Sequence, residues 1–190
     1  MRALFVSGVS AADDLQLDER DALKAFTGWE IDLYNPGARF NKTPIATVDR
    51  PFTLAFEMGE VLETIIKTRA LIDIVSEIDK LMEEGQYEVL IAHSLGCILT
   101  MGWLTGLKQV KTYITIASPL WYPAWWRVGI NTELVQKHVK KWVNYWSLID
   151  PVSAGSLFVQ PGTVNRMTLN GHQVDDNIRS WTKRGWRLDG

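Results

Sequence analysis

The chain has 190 residues, 46% of them apolar, which is the size of one ordinary domain with enough apolar material for a continuous core. Its charges nearly balance, 20 Lys and Arg against 22 Asp and Glu for a formal net charge of −2, which excludes a disordered acidic tail and the basic footprint of a nucleic-acid binder. The lone cysteine, Cys97, excludes an internal disulfide and a cysteine-rich zinc site and suits a reducing compartment.

In chain order, residues 3–6 (ALFV) form an apolar run that ends at Ser7-Gly8. It is too short for a signal peptide or a membrane span, so a soluble cytoplasmic protein without membrane insertion is expected. Residues 12–26 place Leu15, Ala22, Leu23 and Phe26 at helical spacing, and 30–34 (EIDLY) alternate as a strand until Asn35-Pro36-Gly37 stops them. The stretch 35–56, with three prolines and little periodicity, reads as a long loop whose Phe40, Phe52 and Phe56 could roof a site. Residues 57–84 carry a wide helical stripe that includes Val61, Ile65, Ile72, Val75, Ile78 and Met82, with Gly85 as its stop. Residues 87–92 (YEVLIA) have the unbroken apolar character of a strand buried on both faces of a parallel sheet. An apolar helix over 95–106, strands over 112–117, 142–149 and 164–169, and a final helix over 174–183 complete the series. This alternation predicts a single α/β domain over 1–190, a doubly wound and mostly parallel sheet with helices on both faces. Ligands are then expected beyond the C-terminal ends of the strands.

The sharpest local feature is Ala92-His93-Ser94-Leu95-Gly96, between a buried strand and an apolar helix. A serine on such a turn is forced toward positive φ, and small residues two places to either side let the helix backbone approach the strand. The turn lifts the Ser94 hydroxyl above the sheet edge and aims the Leu95 backbone N–H at the oxygen of a bound carbonyl. An acid and a histidine follow in order. Asp150 stands after the strand over 142–149, and His172 stands just after the last strand. Both positions lie at strand C-terminal ends, where Ser, Asp and His can converge.

Only three histidines exist. His93 precedes the serine and must point away from it, as a packed residue that fixes the turn, and His138 lies in a charged stretch read as a solvated face. His172 is left as the base. Asp13, Asp14, Asp73 and Asp79 fall on helices and read as solvent charges. Asp175 and Asp176 suit the positive end of the final helix, with Asp175 the second choice of acid behind Asp150.

With these residues the chain resembles the α/β-hydrolase superfamily, whose chain order is also Ser, Asp, His, and the resemblance spans essentially the whole length. It is most similar to small lidless members, cutinase-like enzymes and compact serine hydrolases with an HSLGC elbow, as His93 to Cys97 reads here. The resemblance implies a core sheet of five or six strands and hydrolysis of carboxylic esters or thioesters. The elbow departs from the family in opening with Ala92 in place of Gly, and no His-Gly-Gly run follows the first strand. Ser7-Gly8-Val9-Ser10 stands in the matching place, which assigns the second oxyanion donor to the Val9 N–H.

Other chemistry finds less support. The 7–10 turn lacks both G-x-G-x-x-G and a following Gly-Lys-Ser/Thr, and Cys97 lies one turn into an apolar helix. No His or carboxylate cluster has metal-ligand spacing, so neither metal nor cofactor is expected. Nine tryptophans remain to be placed. Trp121, Tyr122, Trp125 and Trp126 follow the strand over 112–117 and could wall a small-molecule acyl or aromatic group, or only cover the sheet edge. The alternative function is a non-catalytic binding protein on a hydrolase scaffold, using this Trp-rich 119–127 segment for its ligand or partner.

Overall fold

The computed structural model describes residues 1–8, 13–36, 70–106, 108–119, 130–150, 152–154 and 164–189. Along the chain run β1 (Arg2–Val6), α1 (Asp13–Thr27), β2 (Glu30–Tyr34), α2 (Ala70–Gly85), β3 (Val89–His93) and α3 (Leu95–Thr105). β4 (Val110–Ile116), α4 (Thr132–His138), β5 (Val139–Ser147), β6 (Val164–Thr168) and α5 (Val174–Lys183) follow. The six strands form one sheet in the order β2-β1-β3-β4-β5-β6, every pair parallel. This is the doubly wound α/β architecture expected from the alternation of runs.

Both faces of the central strands are covered, which is why those strands read as unbroken apolar runs. Successive side chains go to opposite layers. Ala3, Phe5, Val89, Ile91, Ile114 and Ile116 pack with Leu23 of α1 and Val174 and Trp181 of α5. Leu4, Val6, Leu90, Ala92 and Tyr113 pack with Ile74 and Ile78 of α2, the apolar helix α3 and Val135 of α4. Trp103 and Trp142 are buried in the second layer and Trp181 in the first, Trp29 and Trp186 lean on the first, and Trp146 is also buried, so six of the nine tryptophans serve the core.

The winding direction reverses between β1 and β3. β1 passes through α1 to β2 on one side, and the chain then returns to β3 on the other. The C-terminal ends of β1 and β3 therefore flank the switch point of the sheet, the usual ligand position in open α/β sheets.

Several details differ from the sequence reading. β4 and β5 begin at Val110 and Val139, earlier than expected, because in each a buried valine followed by an exposed lysine already belongs to the pleat. β5 ends at Ser147, and Leu148 and Ile149 are exposed. The short helix α4 was not anticipated; the Asn131 side chain caps it by accepting from the Glu133 and Leu134 amides. His138 is not a solvated residue: it is half-buried at the end of α4, with Nδ1 2.7 Å from the Leu104 carbonyl. Asp79 is more than a solvent charge, since it accepts from Trp103 Nε1 at 2.9 Å and from Lys108 Nζ at 2.9 Å. Of the helix expected over 57–84, residues 57–69 lie outside the described residues, as does the expected loop beyond residue 36. No helix among the described residues is long and apolar enough to cross a membrane.

Candidate active site

Ser94 stands between β3 and α3, at the N-cap of the helix, with φ 55° and ψ −127°, one of three non-glycine residues with positive φ among those described. Such a conformation costs about 1–3 kcal/mol and persists only where the surroundings over-determine it. Here the constraint is visible. The Ser94 amide donates to the Ile116 carbonyl at 2.9 Å, and the Ser94 carbonyl accepts from the Cys97 amide at 3.0 Å. Gly96 brings the first turn of α3 so close to β1 that a Cβ there would lie 2.3 Å from the Val6 carbonyl oxygen and 2.6 Å from that of Ser7. Ala92, fully buried on the strand side, has room for its methyl group.

Gly8, just after β1, approaches the serine closely. A Cβ on Gly8 would stand 3.0 Å from Ser94 Cβ and 3.4 Å from Ser94 Oγ. Gln16 of α1, almost fully buried, anchors this loop by accepting from Ser7 Oγ at 2.6 Å and donating to the Gly8 carbonyl at 3.3 Å. Leu95 is the first residue of α3, where backbone N–H groups have no intrahelical acceptor, and the Ser94 side chain does not cap them.

Asp150 follows β5 and is 1% exposed. Its Oδ1 accepts from the Val152 amide at 3.0 Å, and its Oδ2 accepts from Ser153 Oγ at 2.7 Å and from His172 Nδ1 at 3.0 Å. Burial by itself would raise this carboxyl's pKa, but the His172 imidazole, the Ser153 hydroxyl and the Val152 amide outweigh it and hold the pKa below the usual carboxylate value. An ionised carboxylate only accepts, so Nδ1 of His172 carries hydrogen and Nε2 of the neutral ring is the basic atom. The second-choice acid, Asp175, is exposed on α5 with its carboxylate 3.9 Å from Arg179.

His172 sits in a loop whose carbonyls are taken up one after another by side chains. Ser147 Oγ donates to the Asn170 carbonyl, Asn177 Nδ2 to those of Gly171 and Gln173, and His93 Nε2 lies 3.0 Å from that of His172. The imidazole of His172 packs on that of His93 with ring centroids 4.9 Å apart. The loop of His172 is thereby joined to the residue directly before Ser94, at the C-terminal rim of the sheet.

Three contributors escaped the sequence reading: Ser153, Gln16 and Glu19. Glu19 is 5% exposed and places Oε2 3.3 Å from Nδ1 of His93. Its signal is faint, one more acid on an amphipathic helix. Ser153 had a local signal, a hydroxyl three residues after an acid at a strand end. The Cys97 thiol is buried with its pKa pushed up to about 12 by that burial, which makes it unreactive. Among the described residues no group of His, Cys, Asp or Glu could hold a metal ion. Val9, Trp121, Tyr122, Trp125 and Trp126 lie outside the described residues.

No protein-family model and no curated protein matches the sequence. Solved structures do match the fold. The esterase domain of a Rhodothermus marinus protein superposes with TM-score 0.54 at 15% identity, covering 96% of this chain and 83% of that one. A protein from Xanthomonas campestris described as a hydrolase of the alpha/beta superfamily gives TM-score 0.54 at 11% identity, covering 96% and 94%. Acetyl xylan esterase 1 from a Thermoanaerobacterium species gives 0.52 at 10%, covering 97% and 73%. The chain thus shares the α/β-hydrolase type of architecture over nearly all its length.

Proposed function

We propose that this chain is a serine hydrolase that cleaves carboxylic esters or thioesters with Ser94 as nucleophile, His172 as base and Asp150 as the acid that orients it. The observation that carries the reading is the Asp150–His172 hydrogen bond, with the His172 ring packed on that of His93, the residue directly before a serine at positive φ. That the three similar folds are described as esterases or a hydrolase supports the reaction class.

In this mechanism the Ser94 hydroxyl attacks the acyl carbon while its proton passes to Nε2 of His172. The Leu95 and Val9 amides stabilise the tetrahedral oxyanion, the ester C–O or thioester C–S bond breaks, and His172 returns the proton to the leaving group. Water then repeats the sequence on the acyl-enzyme and frees the acid. No cofactor is required. Trp121, Tyr122, Trp125 and Trp126 would wall the acyl group, and the sole thiol suits a cytoplasmic setting.

The test is covalent labelling by a fluorophosphonate together with hydrolysis of a p-nitrophenyl ester. Both are expected in the parent protein, both vanish in Ser94→Ala, and ester hydrolysis falls to background in His172→Ala. Label and turnover surviving in Ser94→Ala would end the proposal.

A further inference from the structure

Between α1 and the histidine loop lies a polar pair that the triad does not include. His93 is 4% exposed and Glu19 is 5% exposed, yet both are ionisable, and groups of this kind are rarely buried without a partner. The imidazole bridges two elements. Its Nε2 meets the His172 carbonyl at 3.0 Å, and since a carbonyl only accepts, Nε2 carries hydrogen. Its Nδ1 faces Glu19 Oε2 at 3.3 Å in an ion-pair contact that falls short of an aligned hydrogen bond.

We propose that Glu19 and His93 are positioning residues, a buried ion pair that fixes the peptide of His172 and so keeps its imidazole between Asp150 and the nucleophile. The inference rests on the serine-hydrolase reading for its kinetic consequence but not for its geometry. Glu19 lies on α1, His93 on β3, and the held carbonyl in the loop before α5, so three separate elements are joined beside Ser94. The groups that face His93 are Glu19 from α1, His172 with its carbonyl from the loop, and Asp150 from the end of β5. Burial disfavours charge on both partners, yet their mutual attraction outweighs it. It raises the pKa of His93, helped by the His172 carbonyl and Asp150, and lowers that of Glu19, helped by the His172 imidazole and the Val174 amide of α5. An imidazolium with both nitrogens protonated is therefore the form that satisfies the carboxylate and the carbonyl together.

The cost of losing the tether is loss of orientation. Misplacing a catalytic group by about 1 Å can cost 10²-fold in rate. In His93→Leu the donor is gone and kcat is expected to fall about 10- to 100-fold with KM little changed. His93→Gln, whose amide nitrogen can reach the place of Nε2, should restore most of it, and Glu19→Gln should fall between the two. Because His93→Leu strands a buried carboxylate and can unfold the chain, each variant is checked by thermal unfolding, and Glu19→Gln/His93→Gln supplies a neutral pair. Ring ¹⁵N spectra of the parent protein give a readout independent of turnover: His93, assigned by its loss in His93→Gln, should carry both ring protons at neutral pH. A spectrum showing hydrogen on only one ring nitrogen, Nδ1 or Nε2, would overturn the proposal, as would a folded His93→Leu with parental kcat or a His93→Gln as impaired as His93→Leu. If the parent hydrolyses no ester, the hydrolase reading fails, and the ring spectra alone then decide the tether.

Discussion

Asp150 and His172 stand 22 residues apart along the chain and meet at 3.0 Å, oxygen to Nδ1, with the carboxylate fully withdrawn from solvent. The withdrawal has a chemical consequence. With the Val152 amide on Oδ1 and the Ser153 hydroxyl sharing Oδ2, the carboxylate is fixed in place to hold hydrogen on Nδ1 of the ring.

Asp150→Asn tests that task. An amide can turn its own N–H groups toward Nδ1, which then becomes the acceptor and leaves hydrogen on Nε2, where a base needs its lone pair. The expected outcome is a fall in kcat of about 10³- to 10⁴-fold for a p-nitrophenyl ester with the fold intact by circular dichroism. A loss below tenfold would move the acid role elsewhere.

Stability should depend on pH from both sides. Asp150 and Glu19 are held below the ordinary carboxylate values, so what they contribute is present above roughly pH 4.5 and is lost as pH falls through their folded pKa values. His93 is held above its ordinary value, so its contribution is complete below about pH 6.5 and is lost as pH rises through the folded pKa. Thermal midpoints recorded across the range should peak between these limits. Glu19→Gln should flatten the alkaline arm and keep the part of the acid arm that Asp150 supplies. A midpoint that climbs steadily into alkali would contradict the charged pair.

Two glycines of one helix should respond with opposite sign. Gly96→Ala drives a methyl group into the carbonyls of Val6 and Ser7, backbone that cannot yield without moving β1, so a loss of at least about 1–3 kcal/mol in urea denaturation is expected. Gly102→Ala meets Val75 Cγ2 at 3.6 Å and Leu71 Cδ1 at 3.8 Å, ordinary contact distances. Replacing a mid-helix glycine there should stabilise the fold by about 0.5–1 kcal/mol.

Features set by local sterics and burial are legible in the amino-acid sequence, and those set by partners distant along the chain are not. The strands were legible because burial on both faces leaves an unbroken apolar run, as in Val89–His93, and the elbow because its steric demand for a small residue at Gly96 is local. Ser94, Asp150 and His172 each sit at a strand end, so the topology pointed to a common rim. Glu19 was illegible for the opposite reason. Its partner is 74 positions away in a different element, and nothing in an amphipathic helix distinguishes one inward acid from its solvated neighbours. Helix α4 escaped because at seven residues it is too short to show a period, although its Asn131 cap is local.

The strain at Ser94 makes a prediction in which function and stability separate. Its φ of 55° is unfavourable for any residue with a Cβ, and glycine escapes that penalty. Against this, glycine adds conformational freedom to the unfolded chain, worth about 0.4–1 kcal/mol the other way. The strain is the larger quantity, so Ser94→Gly should be more stable than the parent by about 1 kcal/mol, a rise of about 2–4 °C in the thermal midpoint at this chain length. Ser94→Ala keeps the Cβ and should show no such rise, although both variants lose the proposed nucleophile. Equal midpoints for the two would mean that the turn carries no strain, and the case for a serine held there for its chemistry would lose its energetic half.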